Sequence, residues 1–234
     1  MQVTQDHRTR VAAERREKMR ARLLEAALQV IADEGTAALS IDRLILQAGV
    51  SRGTFYKYYD TPQALVRELA LGISNELISN AEPLVQLVDD PAVRIAVGLR
   101  ALMHTCRAHP VLGHFLVHLG WQDLNQQHLM FDYVKRDLDQ AQQLGRLGTI
   151  ASDLALSLVG ASALVGIQVM MKTPGQVPNA PEDTTAAVLR ALGMKDPEAQ
   201  AIAHLPLPPI PLPETGLISR VTKMVKTERS APGS

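Results

Sequence analysis

Hydrogen-bond donors and aromatic rings alternate in the stretch AGVSRGTFYKYYDT, Ala48 to Thr61. Four rings, Phe55, Tyr56, Tyr58 and Tyr59, fall within five positions of a chain whose aromatic content is 3%. Lys57 lies between them, and Arg52 precedes the first ring by three residues. Guanidinium, ammonium and phenol groups donate to phosphates and base edges, and aromatic rings pack against sugars and thymine methyl groups. This combination of residue types predicts contacts with DNA.

Two short helices are predicted around this stretch, Ile41–Ala48 and Arg52–Tyr58, with a turn at Gly49 between them. Ser40 and Ser51 stand where N-cap residues belong, and glycine readily adopts the positive φ that such a turn needs. This arrangement is a helix-turn-helix, whose second helix enters the DNA major groove with its N-terminal residues at the base edges.

The spacing of the rings divides them between the core and the surface. Phe55 and Tyr59 are four residues apart, so they share a helix face and are expected to pack on Leu24, Leu28 and Leu44. The side chains left facing outward, toward DNA, are Arg52, Thr54, Tyr56, Lys57 and Tyr58. A plain helical hairpin for protein contacts would not need these outward donors.

The segment SIDRLILQAGVSRGTFYKYYDTPQAL, Ser40 to Leu65, resembles the DNA-binding signature of the TetR family of bacterial transcriptional regulators. The resemblance implies an all-α homodimer. Its N-terminal three-helix domain would bind double-stranded operator DNA, and its C-terminal helical domain would bind a small-molecule effector and dimerise. The DNA-binding residues that the resemblance implies are Ser40, Arg52, Gly53, Thr54, Tyr56, Lys57, Tyr58 and Thr61.

Pro62 differs from the family pattern, in which a phosphate-binding lysine is common at this position. Thr61 and the N-terminus of the following helix are therefore expected to hold the phosphate there. Between Arg8 and Arg22 the chain also carries seven basic residues against two acidic ones, although its formal net charge is zero. Such a local excess indicates a polyanionic partner, and it is positioned to compensate for the missing lysine.

The remaining chain reads as helical, because no alternating strand pattern is sustained. Further helices are predicted at 13–34, from Pro62 through Leu77, and at 91–108, 111–119, 122–144, 152–172, 182–192 and 197–204. Pro83 is expected to lie beyond the helix that starts at Pro62. The predicted divisions are a basic flexible arm (1–12), the DNA-binding domain (13–62), the effector and dimerisation domain (63–204) and a proline-rich tail (205–234).

One predicted helix is apolar over nearly its whole length, Leu154–Met171. Its serines and small residues favour a helix buried in a core or a subunit interface over a membrane span. The N-terminus is polar and does not resemble a signal peptide, so a cytoplasmic protein without membrane attachment is expected. The single cysteine, Cys106, excludes a disulfide within the chain.

Bulky and polar side chains between residues 103 and 133 predict an effector pocket, although each one is also a plausible core residue. The predicted effector-binding residues are Met103, Phe115, His118, Trp121, Gln126, Met130 and Tyr133. His114 and His118 are four apart, a spacing suited to two metal ligands, so a metal-responsive regulator is an alternative. No third ligand is evident from the sequence, and neither a metal nor a cofactor is expected.

Enzymes and adaptors are the competing classes of protein. The sequence contains no G-x-S-x-G, H-E-x-x-H or phosphate-loop pattern, so a histidine-based metal hydrolase is the best enzymatic alternative. A partner-binding adaptor would instead use the proline-dense segment LPLPPIPLPETG and would have no affinity for DNA. The sequence favours an effector-responsive repressor over both.

Overall fold

The computed structural model describes the backbone of residues 2–124, 129–207, 212 and 215–230, and the side chains of 10–120, 130–207, 212 and 215–225. Every regular element within these ranges is helical, which confirms the predicted all-α class. The α-helices are α1 (Gln2–Glu34), α2 (Ile41–Ala48), α3 (Arg52–Tyr56), α4 (Pro62–Val85), α5 (Pro91–Ala108), α6 (Pro110–Leu124), α7 (Leu129–Gln143), α8 (Ser152–Lys172), α9 (Ala180–Ala191), α10 (Asp196–Ala203) and α11 (Leu217–Ser230).

Helix α1 begins at Gln2, whereas the sequence predicts a start at Ala13 after a flexible arm. No glycine or proline occurs in its 33 residues, so nothing in the covalent chain stops the helix from extending toward the N-terminus. Its C-terminal part carries the apolar stripe and packs against α2, α4, α6 and α11. Leu23 is the first side chain of this stripe that is fully buried.

The helix boundaries around the turn follow from local capping. The hydroxyl of Ser40 accepts a hydrogen bond from the Arg43 amide at 3.2 Å, which starts α2 as predicted. Gly49 ends that helix with φ of 60°, a left-handed conformation that costs glycine little. The hydroxyl of Ser51 accepts from the Thr54 amide at 3.1 Å and starts α3. Helix α3 ends at Tyr56, two residues earlier than predicted.

Helix α4 continues through Pro83 to Val85, so the prediction that Pro83 lies beyond this helix is wrong. Proline disrupts a helix through its missing N–H and its ring. Pro83 lies in the last turn, so its missing N–H removes a single hydrogen bond close to the end of the helix. The hydroxyl of Thr61 accepts from the Ala64 amide at 3.1 Å and caps the other end. Helix α4 is therefore one continuous rod between the helix-turn-helix and the rest of the molecule.

Helix α5 is the centre of the larger unit and packs against α4 and α6–α10. Its predicted bounds, Pro91 to Ala108, are confirmed. Helix α6 bends at Gly120, where φ is 77°, so its first straight section ends at Leu119 as predicted. Helix α8 is long and apolar enough to cross a membrane, but it packs against α5, α6, α7 and α9. Its side chains Ala155, Val159 and Ile167 are buried in the common core.

The proline-rich tail predicted at 205–234 contains a packed helix, α11, which is not among the helices predicted from the sequence. Ile218 and Val221 are fully buried against the main core. The Glu76 carboxylate accepts a hydrogen bond from the Leu217 amide at 2.9 Å, which satisfies the start of α11. Arg220 donates to Glu25 of α1 at 2.6 Å. Helix α11 contains no proline, and the contacts that hold it come from residues far away in sequence.

We expect Ile218→Ala to lower the free energy of unfolding by about 2–5 kcal/mol, since it leaves a cavity beneath α11. Urea denaturation followed by circular dichroism measures this loss. Met224→Ala on the same helix is the matched control, because Met224 is exposed and its truncation should cost within about 0.5 kcal/mol. Equal stability of wild type and Ile218→Ala would mean that α11 is detached in solution.

Candidate nucleic-acid interface and effector cavity

Two aromatic residues fix α3 to the helices beneath it. Phe55 is fully buried and Tyr59 is 5% exposed, and their ring centroids lie 6.1 Å apart. Leu28 and Leu44 are buried in the same cluster, and Leu24 packs against it partly buried, in agreement with the predicted inward face. Burial raises the pKa of the Tyr59 phenol to about 12, so this side chain is neutral and acts as a core residue.

The opposite face of α3 presents polar side chains to solvent. Arg52, Tyr56 and Lys57 are exposed, while Thr54 and Tyr58 are half-buried. Gly53 is exposed between them. The Ser51 and Thr54 hydroxyls lie 2.9 Å apart, so Thr54 is partly occupied by the helix cap. The predicted DNA-facing residues therefore lie on one surface around α3, with Tyr58 turned partly toward the core.

Ser40 and Thr61 lie at the starts of the two helices that flank α3. Both residues are exposed, and each hydroxyl oxygen accepts a hydrogen bond from its own helix. The hydroxyl protons remain able to donate outward, to an acceptor such as a phosphate oxygen. The exposed helix N-terminus beside Thr61 adds backbone N–H groups suited to an anion.

An ion pair joins the start of α3 to the start of α2. Arg52 Nη2 lies 2.5 Å from Asp42 Oδ1, and both side chains are exposed. The hydrogen bond to Asp42 raises the pKa of the Arg52 guanidinium, which stays cationic. An exposed pair of this kind contributes little to stability. Arg52 can therefore exchange Asp42 for a phosphate or a base without a large cost.

A cavity of about 150 Å³ lies between α4, α5, α7 and α8. Its walls are largely apolar and include Leu77, Leu99, Leu102 and Ala163, with Leu212 of the proline-rich segment at one side. The sequence pattern did not predict a cavity between these four helices. One signal was available, because Gly98 also lines the cavity and glycine inside a helix is costly unless its lack of a side chain is used.

Polar groups reach the same cavity from α5 and α7. Arg94 Nη2 lies 3.1 Å from the carboxylate of Asp137, which is 4% exposed, and 2.5 Å from the Gln140 side chain. The Arg94 Nε atom is buried and has no hydrogen-bond partner among the described residues. A buried donor without a partner is costly. A bound molecule that carries a hydroxyl or carboxylate oxygen would relieve that cost.

The seven predicted effector residues do not come together. Met130 and Tyr133 line the cavity, whereas Met103 and Phe115 are fully buried in the core outside it. The Trp121 side chain and the whole of Gln126 lie outside the described residues. Spacing along a helix placed Met130 and Tyr133 on a face of α7 that lines the cavity, but it could not distinguish cavity lining from core on α5 and α6.

His118 was expected to contact an effector but joins the two units of the chain instead. Its Nδ1 lies 2.8 Å from the Ile31 carbonyl oxygen at the end of α1, and the Thr36 hydroxyl donates to the His118 carbonyl at 3.5 Å. The His114 and His118 rings stack at 6.4 Å. Among the described side chains, no group of three or more His, Cys, Asp or Glu residues could hold a metal. The metal-responsive alternative gains no support from this geometry.

Comparisons with known proteins agree with the helical arrangement. Residues 23–69 match the family model of bacterial regulatory proteins of the tetR family, and residues 90–205 match a tetracyclin repressor-like C-terminal domain. The HTH-type transcriptional repressor LfrR of Mycolicibacterium smegmatis is 39% identical over 83 residues. That match covers 34% of this chain and 43% of LfrR, so the chain spans less than half of this curated relative.

Solved structures extend the similarity over most of the chain. RolR in complex with resorcinol is 27% identical, with a TM-score of 0.59, and the match covers 85% of this chain and 100% of that one. A tetR family regulator from Shewanella sp. PV-4 is 19% identical, with a TM-score of 0.66, and covers 76% of this chain and 99% of its own. The second likeness concerns the fold alone.

Proposed function

Because the chain belongs to the TetR family of bacterial transcriptional regulators, we propose that it is a repressor that an effector releases from operator DNA. The observation that carries this proposal is α3, whose aromatic face is buried while Arg52, Tyr56 and Lys57 are exposed. A helix held in this way fits the major groove with its donors toward phosphates and bases. The boundaries 13–62 and 63–204 remain predictions for the DNA-binding and effector units.

A population shift is the proposed mechanism of release. An effector in the cavity would contact the second half of α4. Helix α4 packs against α1, and its first residue, Pro62, follows the end of α3 by six residues. Any change in the tilt of α4 alters the separation of the two α3 helices in a dimer, and half-sites lie one DNA turn or a multiple apart. A coupling free energy of about 1–3 kcal/mol would weaken operator binding by about 5- to 150-fold.

We expect Lys57→Ala to weaken DNA binding and to reduce the slope of log K against log salt by about one per protomer. The measurement is fluorescence anisotropy with a labelled duplex of mixed sequence over a potassium chloride series. Lys195→Ala is the matched control, since Lys195 is exposed and immediately precedes α10 in the effector domain. Identical slopes for wild type and a Tyr56→Ala/Lys57→Ala variant would remove α3 from the interface.

The cavity suits a single-ring aromatic effector that carries a hydroxyl or carboxylate group. A cavity of about 150 Å³ is known to accept benzene when its walls are apolar. RolR, whose structure contains resorcinol, resembles this chain over most of its length. The buried Nε of Arg94 would donate to an oxygen on the ring, and Asp137 would accept from a second hydroxyl. Phenolic compounds are therefore the proposed class of effector.

We expect Gly98→Leu to abolish the response to phenols while DNA binding is kept. A Cβ at Gly98 meets no atom within 4 Å, so the new side chain starts without a clash and extends into the cavity. Thermal denaturation with resorcinol, catechol and phenol measures binding, because a ligand of the folded state raises the Tm. The wild type should be stabilised by at least one of them.

Gly72→Leu is the matched control for this cavity variant. Gly72 is also a helical glycine with open space around it, but it is exposed on α4 and does not line the cavity. It should respond to phenols as the wild type does. Stabilisation of Gly98→Leu by the same phenol to the same degree would place the effector elsewhere.

The dimer is proposed to form through α8 and α9. Leu154, Val165 and Val169 are large apolar side chains exposed on one side of α8, and Ala161 lies exposed between them. The spacing between these residues follows the helical repeat, so they form one stripe. An exposed stripe of large apolar side chains is typical of a subunit interface. Pairing with its symmetry mate would bury it in a four-helix arrangement.

We expect Val165→Arg to convert the dimer to a monomer, since it would bury an unpaired charge at a cost of several kcal/mol. Analytical ultracentrifugation measures the change in mass. Leu144→Arg is the control, because Leu144 is 62% exposed but lies beyond the end of α7, away from this stripe. A Val165→Arg protein that sediments as a dimer would move the interface to another surface.

The proposal also covers the cellular location of the protein and its lack of membrane attachment and catalytic activity. We infer a cytoplasmic protein without membrane attachment and without catalytic activity, in keeping with a family of DNA-binding regulators. Cys106, the one thiol, is fully buried and burial raises its pKa, so it is not placed to act as a nucleophile. Neither a metal nor a cofactor is part of the proposed mechanism.

A further inference from the structure

The N-terminal half of α1 projects from the molecule as a helix with no core of its own. Side chains 10–22 are exposed or half-buried, and full burial begins only at Leu23. With a helical rise of 1.5 Å per residue, the segment from Gln2 to Leu23 extends for about 30 Å. A helix without an apolar face packed on a core gains little stability from packing. This projection therefore needs a partner surface.

A groove lies between this projecting helix and the end of the helix-turn-helix. Arg15 and Arg16 of α1 line one wall, and Lys57 and Tyr58 line the other. None of the three cationic side chains has an ion-pair partner among the described residues. The floor includes Val11 and Met19, which share a helix face with Arg15 because they are four residues away on either side.

The charge and shape of the groove select one class of partner. Three cations line an open groove together with apolar side chains, and the surrounding segment from Arg8 to Arg22 is basic. A sugar–phosphate strand offers a regular row of anions with deoxyribose carbons between them, so it matches both features. Because Lys57 also belongs to the exposed face of α3, a strand that contacts Lys57 lies directly beside Arg15 and Arg16.

We propose that the groove between α1 and Lys57–Tyr58 is a second DNA-binding surface that holds the phosphate backbone beside the major-groove site. This inference rests on the proposed function, since it assigns additional contacts to the same DNA. Arg15 and Arg16 would bind phosphates, and Val11 and Met19 would lie against sugars. The projecting helix would then act as an arm that increases affinity without reading base sequence.

The test is the salt dependence of binding by an Arg15→Ala/Arg16→Ala variant to a labelled duplex of mixed sequence. Loss of two phosphate contacts should reduce the slope of log K against log salt by about 2 per protomer. Arg15→Lys/Arg16→Lys keeps the charges and should keep the slope. The thermal midpoint should not change in either variant, because both side chains are exposed.

The outcomes separate this inference from the proposed function. An unchanged slope for the double alanine variant, with a reduced slope for Lys57→Ala, would overturn the inference and leave DNA binding through α3 intact. Unchanged slopes for both would overturn both. Binding to phosphatidylserine vesicles that the double alanine variant loses, with no change toward DNA, would assign this face to an anionic membrane and also overturn it.

Discussion

The burial of Phe55 and Tyr59 is the interaction on which the DNA-binding surface depends. Helix α3 has five residues, and an isolated helix of that length does not form in water. The chain fixes it by packing these two rings on α1 and α2, and by capping its first turn with Ser51. The outward donors of α3 take their direction mainly from that packing, because a five-residue helix is fixed by what it packs on.

The two units of the chain are connected by two helices that belong to both. Helix α4 carries Leu65 and Leu69 in the core beside the helix-turn-helix, and it carries Leu77 and Val85 at the cavity. Helix α1 ends at the joint with α6, where His118 meets the Ile31 carbonyl. Closely packed interiors shift between discrete arrangements more readily than they deform. A molecule bound in the cavity can thus change the position of α3, because α4 and α1 transmit the shift as rigid helices.

Local rules predicted the first part of the molecule well. Local sequence determines the helix caps and the turn, because each depends on residues within one helical turn. These features are the caps at Ser40, Ser51 and Thr61 and the turn at Gly49. The extent of α1 and the passage of α4 through Pro83 were missed. Residue propensities predict a helix boundary poorly when tertiary packing sets it, as at Pro83. They also predict it poorly when no residue stops the helix, as in α1.

The cavity and α11 could not be predicted, for a different physical reason. Whether Met103 or Met130 lines a void depends on how four helices approach one another, which helical periodicity does not encode. Helix α11 is held by Glu76, Glu25 and the core beneath Ile218, all far away in sequence. Only Gly98 gave a local sign, as a helix-interior glycine whose missing side chain leaves room.

The contact between α11 and α1 has a consequence for synthesis on the ribosome. Arg220 bonds to Glu25 across 195 positions of sequence, and Ile218 and Val221 complete a core that α1 began. Domains generally fold from the N-terminus as they are translated. Here the surface of α1 that α11 covers stays exposed until residues 217–230 have been translated. This uncovered apolar surface is therefore where a chaperone would bind the nascent chain.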